Sequence, residues 1–139
     1  MKTVMVFGTF DIIHPGHIHM FKQAREYGDR LVVVIARDKT IENIKKHESM
    51  YSEQERKEFL TYITLIDEVI LGDEKNPYTV IEHIKPDIIA LGYDQKIFVD
   101  ELENTLTQYH IEAQIVRLRE YNIEKHKSSM IKKYIENNT

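Results

Sequence analysis

Two histidines, His14 and His17, carry the clearest chemical signal in this sequence. They follow an apolar run at 4–7 and a short turn at 8–11, and they open a segment, 18–27, whose apolar residues recur at helical spacing. We therefore expect both imidazoles at a strand-to-helix junction, near the first helical turn. Unpaired N–H groups and the positive end of the helix dipole favour an anion there. Two imidazole donors at such a point indicate a polyphosphate site.

The neighbouring residues fit this interpretation. Pro15 costs little at a helix start, where its missing N–H would have no partner, and Gly16 lets a bulky ligand approach the backbone. A metal cluster of His14, His17 and His19 is the alternative, but this spacing along one helix converges poorly on an ion, and the chain has no cysteine to complete the set. We predict no metal ligands in the protein. The remaining histidines are expected at the surface: His19, His47, His83, His110 and His126.

Residues 8–17, GTFDIIHPGH, resemble the GTFD…HxGH signature of the cytidylyltransferase-like nucleotidyltransferases. Enzymes of this family join a nucleoside triphosphate to a phosphorylated acceptor and release pyrophosphate. The resemblance implies that His14 and His17 are catalytic and act against the triphosphate, and that the protein is a homodimer. It also implies that four residues of the signature bind the nucleotide: Gly8, Thr9, Phe10 and Gly16.

Length and composition restrict the class of protein. The 139 residues predict one domain, 1–139, and shares of 42% hydrophobic and 30% charged residues are typical of a soluble globular chain. A net charge of −4 argues against a nucleic-acid partner. No apolar run approaches the roughly 20 residues of a membrane span, and the N-terminus lacks a signal-peptide pattern. We expect a cytoplasmic protein with neither a membrane nor a nucleic-acid partner.

The apolar runs of the sequence predict a parallel sheet. Four of them, at 4–7, 31–36, 69–71 and 88–91, are continuous rather than alternating, as in strands that are buried on both faces. A fifth strand is expected at 113–118, and helical patterns lie between the runs. Alternating strands and helices predict an α/β, Rossmann-like domain with a five-stranded parallel sheet and helices on both faces.

Local signals mark some of the helix boundaries. Ser52 and Glu55 form the pattern of a capping box ahead of a helix. Asn76 and Pro77 predict a cap and a first-turn proline for another helix. The polar stretch 44–51 has no periodicity and is expected to be a loop.

Ligands of an open parallel sheet bind beyond the carboxyl ends of the strands, where the strand order reverses. After the fourth strand, Gly92 would let a base or ribose lie against the backbone, Tyr93 could stack on a ring, and Asp94 could accept from hydroxyl or amino groups. An ordinary strand-to-loop turn would explain the same residues. Arg119 follows the fifth strand and is a further candidate for nucleotide binding.

Three further positions are candidates for phosphate binding. Arg56 lies in the capped helix, where a guanidinium could hold a phosphate through two hydrogen bonds. Lys45 and Lys46 are either phosphate ligands or a solvated basic patch, and the serine pair Ser128 and Ser129 would otherwise only cap a helix. The family resemblance implies a lysine loop, a catalytic arginine at Arg56 and a serine pair that binds the β- and γ-phosphates.

Other segments of the chain resemble one branch of this family more than another. Segments 35–40 and 85–92 and the spacing from Arg117 to Ser128 resemble archaeal-type FAD synthases, whereas the C-terminal RTxGIST stretch of glycerol-3-phosphate cytidylyltransferases is missing. The resemblance implies ATP and FMN as substrates, with Mg²⁺ carried by the nucleotide. Two alternatives stay open: a CTP-dependent alcohol-phosphate cytidylyltransferase and a non-catalytic nucleotide-binding module. The aromatic residues available for the flavin ring are Tyr93, Phe98 and Tyr121.

Overall fold

The computed structural model describes residues 1–45, 49–76, 78–93, 95, 99–119, 133 and 135–136. Its strands are β1 (Thr3–Gly8), β2 (Arg30–Ile35), β3 (Glu68–Leu71), β4 (Ile88–Leu91) and β5 (Gln114–Arg117). Its helices are α1 (Pro15–Arg25), α2 (Asp38–Lys45), α3 (Glu53–Thr61), α4 (Thr79–Ile84) and α5 (Val99–Gln108).

All five strands are parallel and form one sheet in the order β3-β2-β1-β4-β5. The chain first builds outward from β1 to β3 and then returns to place β4 on the other side of β1. The strand order therefore reverses between β1 and β4. The turn that follows β1 and the loop that follows β4 meet at this point, which is where an open parallel sheet binds its ligands.

Both faces of the sheet are buried, as the continuous apolar runs predict. Val4 and Val6 of β1 pack with Phe21 of α1 and Leu60 of α3 on one face. Met5 points to the opposite face and packs with residues of α4 and α5. This alternation within a single strand is the reason that β1 reads as an unbroken apolar run, and it confirms the predicted fold class.

Two helix boundaries differ from the prediction. Residues 44 and 45 end α2 instead of belonging to a loop; Ile41 is buried on this helix and Asp38 lies in its first turn. Helix α4 begins at Thr79, and Asn76 does not cap it: the Asn76 side chain accepts the N–H of Tyr78 in a turn that precedes the helix. Pro77 lies outside the described residues. The Ser52 and Glu55 capping box is present as predicted.

Within the part of the chain that the structure describes, no helix is both long enough and apolar enough to cross a bilayer. The predicted last helix and its serine cap lie largely outside the described residues, although residues 133 and 135–136 are helical.

Candidate functional site

His14 and His17 cap α1 through their own imidazoles. His14 is the N-cap residue, in an extended conformation, and its Nδ1 accepts the N–H of Gly16 at 3.1 Å. The Nδ1 of His17 in turn accepts the N–H of His14 at 3.3 Å. An imidazole that accepts at Nδ1 carries its proton on Nε2. Both histidines therefore present an Nε2–H donor that the helix cap does not use.

This arrangement changes which groups could donate hydrogen bonds to an anion at the start of α1. The amide of Gly16 donates to the His14 ring, and the amides of His17 and Ile18 donate to the His14 carbonyl. The first-turn N–H groups are thus occupied by His14, whereas the sequence argument assumed that they were unpaired. The imidazole Nε2–H groups lie outside this cap, at the positive end of the helix dipole. They replace the amides as the candidate donors to an anion.

The two imidazoles are stacked, with ring centroids 3.8 Å apart and planes 25° from parallel. Burial, and secondly the charge of His14, lower the pKa of His17 to about 3. His17 is therefore neutral at pH 7 and acts as a hydrogen-bond donor rather than as a cation.

The turn between β1 and α1 is shaped by Phe10. Its φ is 52°, in the left-handed region, and its ring is buried with only 5% of the residue exposed. The ring folds back over Gly8, where an added Cβ would lie 2.6 Å from the ring. Gly8 is needed to make room for this ring. Since the ring belongs to the core, the predicted role of Phe10 in binding a nucleotide can rest only on its backbone.

The side chain of Arg56 is held by the protein itself. Its side chain is fully buried, and its guanidinium donates to the carbonyls of Thr9, Ala36 and Tyr51 at 2.8–3.2 Å. The remaining bond, at 2.7 Å, goes to the Asp38 carboxylate. The guanidinium fork that was expected on a phosphate is committed to the protein, because four acceptors converge on a side chain with no exposed surface. Arg56 ties together the ends of β1 and β2 and the segment that leads into α3.

Two carboxylates fix the same segment. Asp11 is 5% exposed and accepts the N–H groups of Met50 and Tyr51 at 2.7 and 2.9 Å. Asp38 accepts the Ser49 hydroxyl and the N–H of Glu53 as well as Arg56. Burial alone would raise the pKa of Asp38, but the hydrogen bond from Arg56, the Glu53 amide and the Arg56 charge outweigh it and lower that pKa. Residues 49–53 are thereby anchored to the turn after β1, through Asp11, and to the start of α2, through Asp38.

The loop after β4 is also held by side chains. Gln95 accepts the N–H of Gly92 at 2.7 Å and donates to the carbonyl of Phe7 at 2.8 Å, which joins the ends of β4 and β1. Arg117 donates to the carbonyls of Gly92 and Gln95. The backbone groups of Gly92, which were expected to face a base, are engaged in this network, while Tyr93 is half-buried beside them.

Gln23 of α1 holds the chain where it leaves β5. Its side-chain amide is buried and pairs in both directions with the backbone of Arg119, donating at 2.9 Å and accepting at 2.8 Å. The Arg119 side chain itself is exposed. This contact connects residues 96 positions apart and fixes the start of the C-terminal segment that contains the serine pair.

Replacing Gln23 by Leu is expected to lower the free energy of unfolding by about 2–3 kcal/mol, because two backbone groups of residue 119 lose their partners. Urea unfolding followed by circular dichroism measures the change. The matched control is Gln108→Leu at the exposed end of α5, which should stay within about 0.5 kcal/mol of the parent. Equal stability of the two variants would contradict the assigned role of Gln23.

Four predicted nucleotide ligands lie outside the described residues: Lys46, Asp94, Ser128 and Ser129. Most of the others follow β1 or β4, whereas Arg56 reaches the Thr9 carbonyl from α3 and Arg119 follows β5. Hydrogen bonds connect four further residues to these positions, none of which was among the predicted ligands: Asp11, Gln23, Asp38 and Gln95. Among the described residues, no three His, Asp or Glu side chains are grouped as metal ligands would be.

Comparisons with known proteins agree with this geometry. Residues 5–134 match the family described as cytidylyltransferase-like. A protein named FAD synthase from Ferroglobus placidus is 44% identical over 119 residues, which cover 86% of this chain and 77% of that protein. A protein of the same name from Thermoplasma volcanium is 40% identical over 135 residues, which cover 97% of this chain and 94% of that protein.

Solved structures share the fold. One from Thermoplasma volcanium, described as a lipopolysaccharide core biosynthesis protein, has a TM-score of 0.83 at 40% identity and covers 88% of this chain and 99% of its own. A pantoate-beta-alanine ligase from Francisella tularensis has a TM-score of 0.65 at 16% identity, covers 95% of this chain and 65% of its own, and shares the fold alone. With the family match over almost its whole length, this chain belongs to the cytidylyltransferase-like family of nucleotidyltransferases.

Proposed function

We propose that the protein is an FMN adenylyltransferase, which transfers AMP from ATP to FMN to give FAD and pyrophosphate. The observation that carries the proposal is the pair of imidazoles at the start of α1, each accepting a backbone N–H at Nδ1, at the point where the strand order reverses. The names of the relatives from Ferroglobus placidus and Thermoplasma volcanium support FMN as the acceptor.

In the proposed reaction, a phosphate oxygen of FMN attacks the α-phosphorus of ATP. The bond from that phosphorus to the oxygen bridging the β-phosphate breaks, and pyrophosphate leaves with its electron pair. No covalent enzyme intermediate and no obligatory proton transfer are needed. His14 and His17 donate hydrogen bonds to phosphate oxygens on which charge accumulates, and their fixed orientation removes the need for reorganisation during the reaction.

The remaining residues position the substrates in this proposal. Arg56 acts by holding the turn and the segment 49–53 in place, and Lys46, Ser128 and Ser129 are proposed ligands of the phosphates. The backbone at Gly92 and the ring of Tyr93 form the proposed nucleoside end of the site, together with Asp94. A nucleoside in this place would lie against a loop whose shape Gln95 and Arg117 set.

Nucleotidyltransferases of this kind use a divalent metal, and we propose Mg²⁺ bound to the triphosphate. Asp11 in the turn and Asp38 in α2 already accept hydrogen bonds from amides and from Arg56. Because these carboxylates are engaged, we propose a metal that arrives bound to the nucleotide. The metal would neutralise charge on the phosphates and assist the departure of pyrophosphate. The homodimer implied by the family resemblance also remains a proposal, which light scattering of the purified protein would test.

The deciding experiment pairs ATP or CTP with FMN or glycerol 3-phosphate and measures pyrophosphate release with Mg²⁺ and with a chelator. We expect release with ATP and FMN, at least about tenfold higher in kcat/KM than with CTP and FMN, since a mismatched base leaves polar groups unpaired. The chelator should abolish it. Pyrophosphate release only with the pair of CTP and glycerol 3-phosphate would establish the cytidylyltransferase alternative. Nucleotide binding with no pyrophosphate release from any pair would indicate a non-catalytic module.

A further inference from the structure

We propose that Phe10 is a positioning residue that acts through His17, holding its imidazole in the single orientation and neutral form in which Nε2–H faces the substrate. The inference rests on the proposed role of His17 and not on the identity of the acceptor. It assigns to the aromatic residue of the GTFD turn a role that is distinct from contact with the nucleotide.

The first observation is the cost of the Phe10 conformation. A left-handed φ of 52° is unfavourable for a bulky residue by roughly 1–2 kcal/mol, so the surrounding structure must maintain it. Here the conformation turns the ring back onto Gly8, where the absence of a Cβ leaves the space that the ring occupies. Burial of this ring at the start of α1 therefore coincides with a strained backbone at Phe10.

The second observation is where the ring lies. Its centroid is 5.2 Å from that of His17 in an edge-to-face arrangement, and 5.3 Å from that of Phe21. The second ring that contacts His17 is that of His14, stacked at 3.8 Å. The imidazole thus packs against two rings. Rotation of the imidazole would break its Nδ1 hydrogen bond to the His14 amide and its edge-to-face contact with Phe10.

This packing also favours the neutral imidazole. Protonation would place a hydrogen on Nδ1 against the N–H that it now accepts, and burial of the imidazole beside the Phe10 ring disfavours the resulting cation. Burial is the main cause that lowers the pKa of His17 to about 3, and His14 is the second. Among the described residues around the turn, Asp11 directs its carboxylate to the amides of residues 50 and 51, and Arg56 is committed to carbonyls and Asp38.

The test is Phe10→Leu, which keeps an apolar side chain at a left-handed position and removes the aromatic ring. The matched control is Phe7→Leu, which makes the same change on the opposite face of the sheet. The ¹⁵N shifts of the His17 imidazole, followed from about pH 4 to pH 8 in the full chain, report its tautomer and its protonation without any requirement for turnover. The pH profile of kcat is measured in parallel.

In the parent and in Phe7→Leu, His17 should remain the neutral Nε2–H tautomer over this range. In Phe10→Leu its titration should move upward by about one pH unit or more, both tautomers should appear, and kcat should fall about tenfold with a new acidic limb, while KM for ATP changes little. If Phe10→Leu does not fold, Phe10→Met, which fills a similar volume without a ring, replaces it. An unchanged tautomer and titration in the ring-less variant, or an equal shift in Phe7→Leu, would overturn the proposal.

Because the imidazole signals are read without substrate, they separate this inference from the function proposed above. A shifted titration of His17 in a Phe10→Leu protein that does not adenylylate FMN would support the role of Phe10 and contradict only FMN as the acceptor. Turnover of ATP and FMN with an unshifted titration of His17 would support the proposed function and contradict the role of Phe10.

Discussion

Replacing His17 by Asn is expected to lower kcat by about a hundredfold or more while the protein stays folded. The side-chain oxygen of Asn lies close to the position of the imidazole Nδ1 and can accept the N–H of His14, so the cap of α1 is retained. No donor then reaches the position of Nε2–H. The variant therefore removes the proposed contact with the phosphates and leaves the helix start intact, which an alanine would not do.

Steady-state kinetics and thermal melting of the same preparations measure the two effects. His17→Gln places an amide N–H near the Nε2 position and should recover part of the lost activity. His83→Asn, on the exposed side of α4, is the matched control and should leave kcat unchanged. If His17→Asn melts like the parent and keeps its full kcat, His17 does not stabilise the transition state.

The fold was predictable because its signals are local and repeated. The strand expected at 88–91 coincides with β4, and the expected helix cap at Ser52 is made by the predicted pair of side chains. Each pattern reports the environment of its own segment: continuous apolar residues indicate burial on both faces, and a hydroxyl followed by a carboxylate indicates a helix start. The position of His14 and His17 at the start of α1 followed from the same local reading.

The parts of the site that the sequence did not indicate depend on residues distant in the sequence. The sequence correctly places Arg56 on a helix. Its acceptors at Thr9 and Ala36, however, lie 47 and 20 residues away, and no residue near Arg56 in the sequence indicates them. Gln23 and Gln95 give no signal either, because the sequence does not distinguish a glutamine that pairs with a remote backbone from a surface glutamine. The unpaired amides expected at α1 were wrong for a local reason: the His14 side chain competes for them.

Arg56→Met is expected to lower the free energy of unfolding by about 3–5 kcal/mol, the effect of leaving the partners of a buried ionic group without it. Three backbone carbonyls at the ends of β1 and β2 and before α3 would lose their donor. The Asp38 carboxylate would lose the partner whose hydrogen bond lowers its pKa. Urea unfolding at pH 7 measures the loss. Arg25→Met, in a solvent-exposed pair with Asp67, makes the same change at the surface and should cost less than about 1 kcal/mol.

The pH dependence of the same measurement separates a positioning role from direct contact with a phosphate. A carboxyl whose pKa is lowered on folding contributes stability above its ordinary pKa, and this contribution is lost as the pH falls through the folded value. The stability gap between the parent and Arg56→Met should therefore narrow as the pH is lowered toward the range in which Asp38 is protonated. If Arg56 instead served a phosphate and made no structural contribution, Arg56→Met would unfold with the parent at every pH and would lose only activity. That result would return Arg56 to the role first predicted from its sequence.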